Sequence, residues 1–515
     1  MGRRLAGRES ILMSSAAKGL GTSQSPLPHN SGRHLLDGTL WVILADALFP
    51  VTAVVTAGVL TRKLSPDEYG RLNLSVTLAG WSVSILLALF GRARVLVVRR
   101  ATDWQGAAAT IFRRQLAAAM AVFVGMLLSA DLIADVWQVS GLATELRLMA
   151  FEIPFASSSL VLRQILVARG RFRQRAFGGA VRWLVRMCLV VLAVELGFGV
   201  RGAIVGLVLT SALDLGLGCL FTAIPLWGTS RVGWREFTAL AMPMFLTAIS
   251  LRTFERIDLF ALQTLGADAA QTALYGAAQN LALTPVWLAQ SLLSLSLSSV
   301  AQLVIAGDLS GGRRLARQTL RFSVLLVPLA ALVAGSAPQV ISLVYGSRYT
   351  AASPVFVMLI CAAVGLVQVS VFAALLSAFD RLVWQAALIV PLIPLSVVAH
   401  GVAIPRLGST GAALTTLGLT WSCVLVSGCM LYRLTSVAVP VGTLLRSAVL
   451  SAGGYFLAQH WILNGAWILL QLPALAVFSG VILIILGEFQ SDGLTLSAIW
   501  HSSSLSCRRK PKILP

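Results

Sequence analysis

The chain has 515 residues, of which 57% are hydrophobic and 12% charged, and its Lys and Arg outnumber its Asp and Glu 40 to 20. With a mean hydropathy of +0.84, these proportions exclude an ordinary water-soluble domain and leave lipid as the solvent. The formal net charge of +20 does not point to nucleic acid, because the cations fall between apolar runs, where the positive-inside rule accounts for them.

The first 36 residues are polar and basic, with Pro26 and Pro28, and are expected to be a disordered cytoplasmic tail with no signal-peptide core. Apolar runs then follow near 37–60, 72–92, 115–138, 146–168, 178–197, 201–227 and 238–264. A second series lies near 272–304, 320–346, 352–378, 382–404, 409–433, 444–465 and 466–487. Each is long enough to cross roughly 30 Å of hydrocarbon as a helix, and none alternates with the period of two that a barrel requires. The expected fold class is all-α: a polytopic membrane protein of about fourteen transmembrane helices. Residues 491–515, with Arg508, Arg509 and Lys510, are expected to form a second basic cytoplasmic tail.

Cations set the expected orientation. Arg92, Arg94, Arg99, Arg100, Arg113 and Arg114 follow the second run, Arg169, Arg171, Arg173, Arg175 and Arg182 the fourth, and Arg313, Arg314, Arg317 and Arg321 the eighth. Connections after odd-numbered runs are poor in cations, apart from Arg62, Lys63 and Arg71 after the first. The even connections and both termini are therefore expected on the cytoplasmic side of a multi-pass cell inner membrane protein.

The chain also repeats itself. LSPDEYG at Leu64–Gly70 and LGADAAQTALYG at Leu265–Gly276 both end in Tyr-Gly; GVRGA at Gly199–Ala203 is matched by GSTGA at Gly408–Ala412. Gly70 and Gly202 are 132 residues apart, Gly276 and Gly411 135. Six runs separate the copies, so two six-helix bundles of like orientation, 37–230 and 231–435, are expected around a central cavity, with two appended helices at 436–490.

LTRKLSPDEYG at Leu60–Gly70 closely resembles the motif after the first helix of Wzx-type polysaccharide transporters, with Ser65 in place of the usual glycine. Asp258–Asn280, with Tyr275, Gly276 and AAQN, and IPRLGSTGAALT at Ile404–Thr415 resemble two further segments of that family. The resemblance, over residues 37–435, implies the multidrug/oligosaccharidyl-lipid/polysaccharide exporter superfamily and alternating access. It implies a flippase for polyprenyl-pyrophosphate-linked oligosaccharide repeat units in polysaccharide biosynthesis, with that glycan and membrane lipids as partners. A functional association with a polysaccharide polymerase and glycosyltransferases is implied as well.

The seventh run, ISLRTFERIDLF, carries Arg252, Glu255, Arg256 and Asp258. Central charges cost about 2.5–3.5 kcal/mol each to insert, so these four should face protein or a watery cavity. Arg252, Glu255 and Arg256, at i, i+3 and i+4, share a face of a regular helix. A guanidinium fork suits a diphosphate, so Arg252 and Arg256, with Glu255 and Asp258, are the candidate substrate-binding residues; a locally paired packing cluster is the competing reading. Asp46 and Asp214 are candidate ion-coupling carboxylates, although packing or pairing, such as Arg186 with Asp214, explains them as well. Interfacial snorkelling suits Arg62. Tyr69 and Tyr275 read as interfacial aromatics, and Pro243, Pro285, Pro328, Pro391 and Pro394 as kink sites.

Six cysteines without CxxC spacing and five scattered histidines indicate neither a disulfide framework nor a metal site. There is no GxSxG, no Walker loop, no paired-carboxylate arrangement in a sizeable aqueous domain and no histidine next to a plausible nucleophile, so no cofactor and no enzymatic activity are expected. The competing functions are a multidrug or cation antiporter or a lipid II flippase of the same superfamily, and a membrane glycosyltransferase or polymerase.

Overall fold

The computed structural model describes residues 31–90, 103–224, 245–266, 268–460 and 467–485, and among them it contains no strand. Residues 1–30 of the expected first tail, the expected second tail at 491–515, the arginines at 92–100, Pro243, and the expected bundle boundary at 230 lie outside the described residues. Residues 31–36, expected to be disordered, are instead helical, because the first helix runs beyond its apolar stretch. Helix is what hydrocarbon demands of such a chain: backbone N–H and C=O groups have no water to bond, so each segment must satisfy its own.

In chain order the helices are α1 (Ser31–Lys63), α2 (Pro66–Phe90), α3 (Trp104–Trp137), α4 (Leu142–Ala150), α5 (Glu152–Ala168), α6 (Phe172–Glu195) and α7 (Gly199–Thr222). After α8 (Phe245–Phe254) come α9 (Ile257–Thr264), α10 (Ala269–Ile305), α11 (Leu309–Val324), α12 (Leu326–Gly335), α13 (Ala337–Tyr345) and α14 (Ser353–Ala378). The series closes with α15 (Leu382–Ile389), α16 (Leu392–Thr435), α17 (Val441–His460) and α18 (Ile468–Ile485).

Local chemistry starts and stops these elements. Asp103, Asp268 and Asp308 accept from Gly106, Gln271 and Gly311 N–H at the starts of α3, α10 and α11, taking up donors the first turn leaves free. The prolines act where expected in two places: α11 stops at Val324, four residues before Pro328, whose ring would meet that carbonyl, and α15 stops at Ile389 just before Pro391.

Among the described residues ten helical stretches are long and apolar enough to cross a bilayer. One of them, Val383–Thr435, has 53 residues, which at ~1.5 Å per residue would reach far beyond a single bilayer. It turns back on itself at Gly408, where φ is 58° and ψ −137°. There the Cβ position of Gly411 lies 2.5 Å from the carbonyl oxygen of Ala403, eight residues earlier. The other half makes the same turn: Gly199 has φ 56°, and the Cβ position of Gly202 lies 3.4 Å from the Ala193 carbonyl oxygen. Only glycine adopts these φ values without strain and leaves room for the returning backbone. The paired GVRGA and GSTGA segments thus share a backbone device as well as a sequence pattern.

Packing groups the helices. α6 packs on α1 and α7, and α5 on α7 and α3; separately, α14 packs on α10 and α16, and α9 on α16. α17 lies along α12, with α18 beside it. The groups meet along α2 and α10 and where α13 touches α1.

The core is continuous at one end of the molecule and divided at the other. At the end carrying the α1–α2 and α13–α14 connections, Leu60, Tyr69, Leu146, Val200, Tyr275, Ile341, Tyr349 and Ile404 belong to one buried cluster that spans both groups. At the opposite end it splits: Ile111, Phe112 and Ile165 pack by themselves, and Leu320, Leu376 and Leu431 form another cluster. A chain joined at one end and parted at the other leaves a wedge between its halves.

Candidate functional site

That wedge holds a cavity of about 400 Å³. α1 contributes Thr52 and Thr56, α2 Asn73, Thr77 and Trp81, and α6 Trp183 and Arg186; Asn280 and Thr284 come from α10. Arg252 on α8, and Glu255 and Arg256 just beyond it, line it as well, together with Ser84 of α2.

The joined end of the wedge is closed by contacts between halves. Arg62 Nη2 donates to the Leu343 carbonyl at 2.8 Å, so this arginine reaches across to α13. Tyr69 meets Tyr349 edge-on with ring centroids 5.9 Å apart, and the Tyr345 hydroxyl donates to the Ala277 carbonyl at 2.9 Å. Tyr69 and Tyr275 are buried, 5% and 1% exposed, and so are packing residues between the halves. The expectation of interfacial aromatics is corrected on this point: a ring with a hydroxyl can be buried once that hydroxyl finds an acceptor, and Tyr275 donates to Asp258 Oδ2 at 2.7 Å.

The seventh segment is broken at its charges. α8 ends at Phe254, α9 begins at Ile257, and Glu255 and Arg256 occupy the turn between them. A single face shared by Arg252, Glu255 and Arg256 is therefore not what forms. Arg252 Nη1 pairs with Glu255 Oε2 at 2.8 Å. Arg256 turns instead to α10, donating to Gln279 Oε1 at 2.9 Å and Asn280 Oδ1 at 3.2 Å. Gln279 Nε2 returns a 3.4 Å bond to the Glu255 carbonyl, close to the break. Asn280 Nδ2 donates to Asn73 Oδ1 at 2.7 Å, which carries the chain of amides into the other half.

Asp258 does not join the other three at the cavity. It is 1% exposed and borders a separate void of about 10 Å³ between α9, α10, α14 and α16. Its carboxylate accepts from Leu259 N–H (2.8 Å), Tyr275 OH (2.7 Å), Gln279 Nε2 (2.7 Å) and Thr416 OH (3.2 Å). Four donors compensate a buried carboxylate without a cation. The structure thus brings Arg252, Glu255 and Arg256 together and sets Asp258 behind them.

The candidate coupling carboxylates are both held by arginines. Asp46 pairs with Arg175 through two bonds, 2.9 and 3.0 Å. Asp214 is 4% exposed and receives Arg163 at 2.5 Å and Arg182 at 3.2 Å. The expected Arg186–Asp214 pair is therefore corrected: Arg182, one turn earlier on α6, reaches Asp214, and Arg186 faces the cavity. Arg175 and Arg182, read from the sequence as loop cations, lie inside α6. Arg163 and its neighbour Glu152, buried on α5, were missed, although each is a charge within an apolar run, the same signal that marked the seventh segment. Ser211 OH donates to Glu152 Oε1 at 2.7 Å, and Arg182 stands 4.0 Å from the same oxygen.

The profile of a family described as "Polysaccharide biosynthesis protein" matches residues 59–354, more than half of the chain. The chain belongs to that family. It is similar to the succinoglycan biosynthesis transport protein ExoT of Rhizobium meliloti (strain 1021), 26% identical over 178 residues, which are 34% of this chain and 35% of that relative's length. Among solved structures it resembles the lipid II flippase MurJ in an inward closed conformation, with a TM-score of 0.66, 14% identity, and coverage of 92% of this chain and 98% of that one. It also resembles the eukaryotic MATE transporter AtDTX14, with a TM-score of 0.57, 10% identity, and coverage of 82% and 100%. A MOP superfamily transporter from Pyrococcus furiosus is similar at a TM-score of 0.55 and 13% identity, covering 81% of this chain and 96% of that one. The expected all-α polytopic fold is the one these structures share, and these relatives are transporters and flippases rather than enzymes.

Proposed function

We propose that this multi-pass membrane protein is a flippase that carries polyprenyl-pyrophosphate-linked oligosaccharide repeat units across the cytoplasmic membrane by alternating access. The diphosphate sits against Arg252 and Arg256 while the polyprenyl tail stays in lipid. One observation carries the reading: among the described residues, the charged groups lining the cavity are three guanidiniums, Arg186, Arg252 and Arg256, against one carboxylate, Glu255. A low-dielectric pocket with surplus positive charge favours an anion. It disfavours a cationic drug, which argues against the antiporter alternative. Family membership supports a glycan substrate.

The wedge parts toward the end bearing Arg113, Arg169, Arg171, Arg173, Arg313 and Arg317. In our reading this is the cytoplasmic side, the cavity is open inward, and both termini are cytoplasmic. A coupling role for Asp46 or Asp214 would act through their ion pairs, since a proton taken by either carboxylate would release a guanidinium. Association with a polymerase and with glycosyltransferases belongs to the same proposal.

The test replaces Arg252 and Arg256 together by Gln and measures surface glycan in cells with wild-type levels of the protein. Export should fall at least tenfold, and full export would overturn the assignment of the diphosphate to these residues.

A further inference from the structure

We propose that Arg186 and Trp183 on α6 form the second half of the anion site, so that a diphosphate ester is gripped between α6 and the α8–α9 turn. The inference rests on the flippase reading and extends it to residues of the opposite half. Both side chains line the same cavity as Arg252 and Arg256.

Charge accounting supports it. Behind Arg186, two guanidiniums, Arg163 and Arg182, face two carboxylates, Asp214 and Glu152. Arg186 is a third cation in that region, and among the described residues no carboxylate lies within 4 Å of it. The Arg186 guanidinium carbon stands 6.0 Å from the centre of the Trp183 ring, and Phe49 packs against that ring with centroids 4.3 Å apart. A partly buried guanidinium without a counter-ion costs several kcal/mol unless something supplies the missing charge.

Trp183 adds an independent observation. Its Nε1–H is buried and has no acceptor, although a buried indole N–H usually finds one. A guanidinium with no carboxylate within 4 Å and an indole N–H lacking an acceptor, three residues apart on one helix, lie at a single cavity wall. One ligand with several acceptor oxygens and negative charge satisfies both, and a diphosphate is such a group. Arg256 in the other half is held by the neutral oxygens of Gln279 and Asn280, so its charge remains available too. An anion touching both walls binds best when the halves approach, which couples substrate recognition to closure of the wedge.

The experiment uses the full chain in phosphatidylcholine nanodiscs and measures the affinities of farnesyl diphosphate, farnesyl monophosphate, farnesol and inorganic pyrophosphate. Wild type should prefer farnesyl diphosphate over the other three. Arg186→Gln should weaken farnesyl diphosphate at least tenfold, about 1.4 kcal/mol, and erase the preference for diphosphate over monophosphate. Arg186→Lys should keep part of both. Trp183→Phe should weaken the diphosphate a few-fold and leave farnesol unchanged, and it carries the test should Arg186→Gln fail to fold. Unchanged diphosphate affinity in folded Arg186→Gln, or in Trp183→Phe if that variant carries the test, overturns the proposal while leaving the flippase reading intact. A wild type that does not distinguish farnesyl diphosphate from farnesol overturns the flippase reading itself. Inorganic pyrophosphate bound as tightly as the farnesyl ester overturns the lipid-linked assignment.

Discussion

Two buried acids, one in each half, are compensated by different means. Asp214 on α7 is held by two guanidiniums, Arg163 and Arg182, so charge meets charge inside the protein. Asp258 on α9 is held by uncharged donors, namely a backbone N–H, Tyr275, Gln279 and Thr416. The first device anchors α5 and α6 to α7 and consumes its cations. The second leaves the arginines of the seventh segment to the cavity, where, among the described residues, Glu255 is the one carboxylate that opposes them. Which charges are spent on architecture and which stay available for a ligand is therefore decided by partner type, and depth in the membrane says little about it.

Asp214→Asn should give the largest effect, because it strands two buried guanidiniums that have lost a shared carboxylate. Breaking one side of a buried ion pair costs about 3–5 kcal/mol. The expected outcome is a large drop in the thermal unfolding midpoint of the purified protein, with poor accumulation in membranes. A variant as stable as wild type would mean that Glu152 alone neutralises both arginines. Asp258→Asn tests the other half and should cost less. It removes a charge without orphaning a cation, and its loss is confined to mismatched hydrogen bonds at about 1–3 kcal/mol. The same melting measurement ranks the two, and equal losses would erase the distinction drawn between the halves.

Much of this arrangement was legible in the residues. Twenty-residue apolar runs specify helices because hydrocarbon permits little else, and the GVRGA and GSTGA segments marked two equivalent turns whose glycines take φ 56° and 58°. The seventh segment stood out because four charges cannot face lipid. Partner choice was less legible. Arg182 looked like a loop cation because the basic stretch Arg169–Arg175 runs on into α6, and the start of a helix carries no signature when its first turns are as basic as the connection before it. Arg163 was hidden by its run, and Asp258 could not be separated from Arg252 and Arg256 by spacing, because the break after Phe254 is set by tertiary contacts of α10 with the turn.

The smallest effect belongs to a pair that joins two helices of the same half at the surface. Lys63 Nζ meets Glu195 Oε2 at 2.6 Å, linking the ends of α1 and α6, but the two side chains are 51% and 44% exposed. Water competes for both partners, and ordering two long side chains offsets most of the attraction, so such a pair contributes at most about 1 kcal/mol. Lys63→Gln with Glu195→Gln should leave the melting midpoint within a degree or two and export unchanged. A substantial loss of export at unchanged stability would show that the ends of α1 and α6 move as a unit during the transport cycle, and that the distance between charge and ligand is a poor guide to which pairs matter.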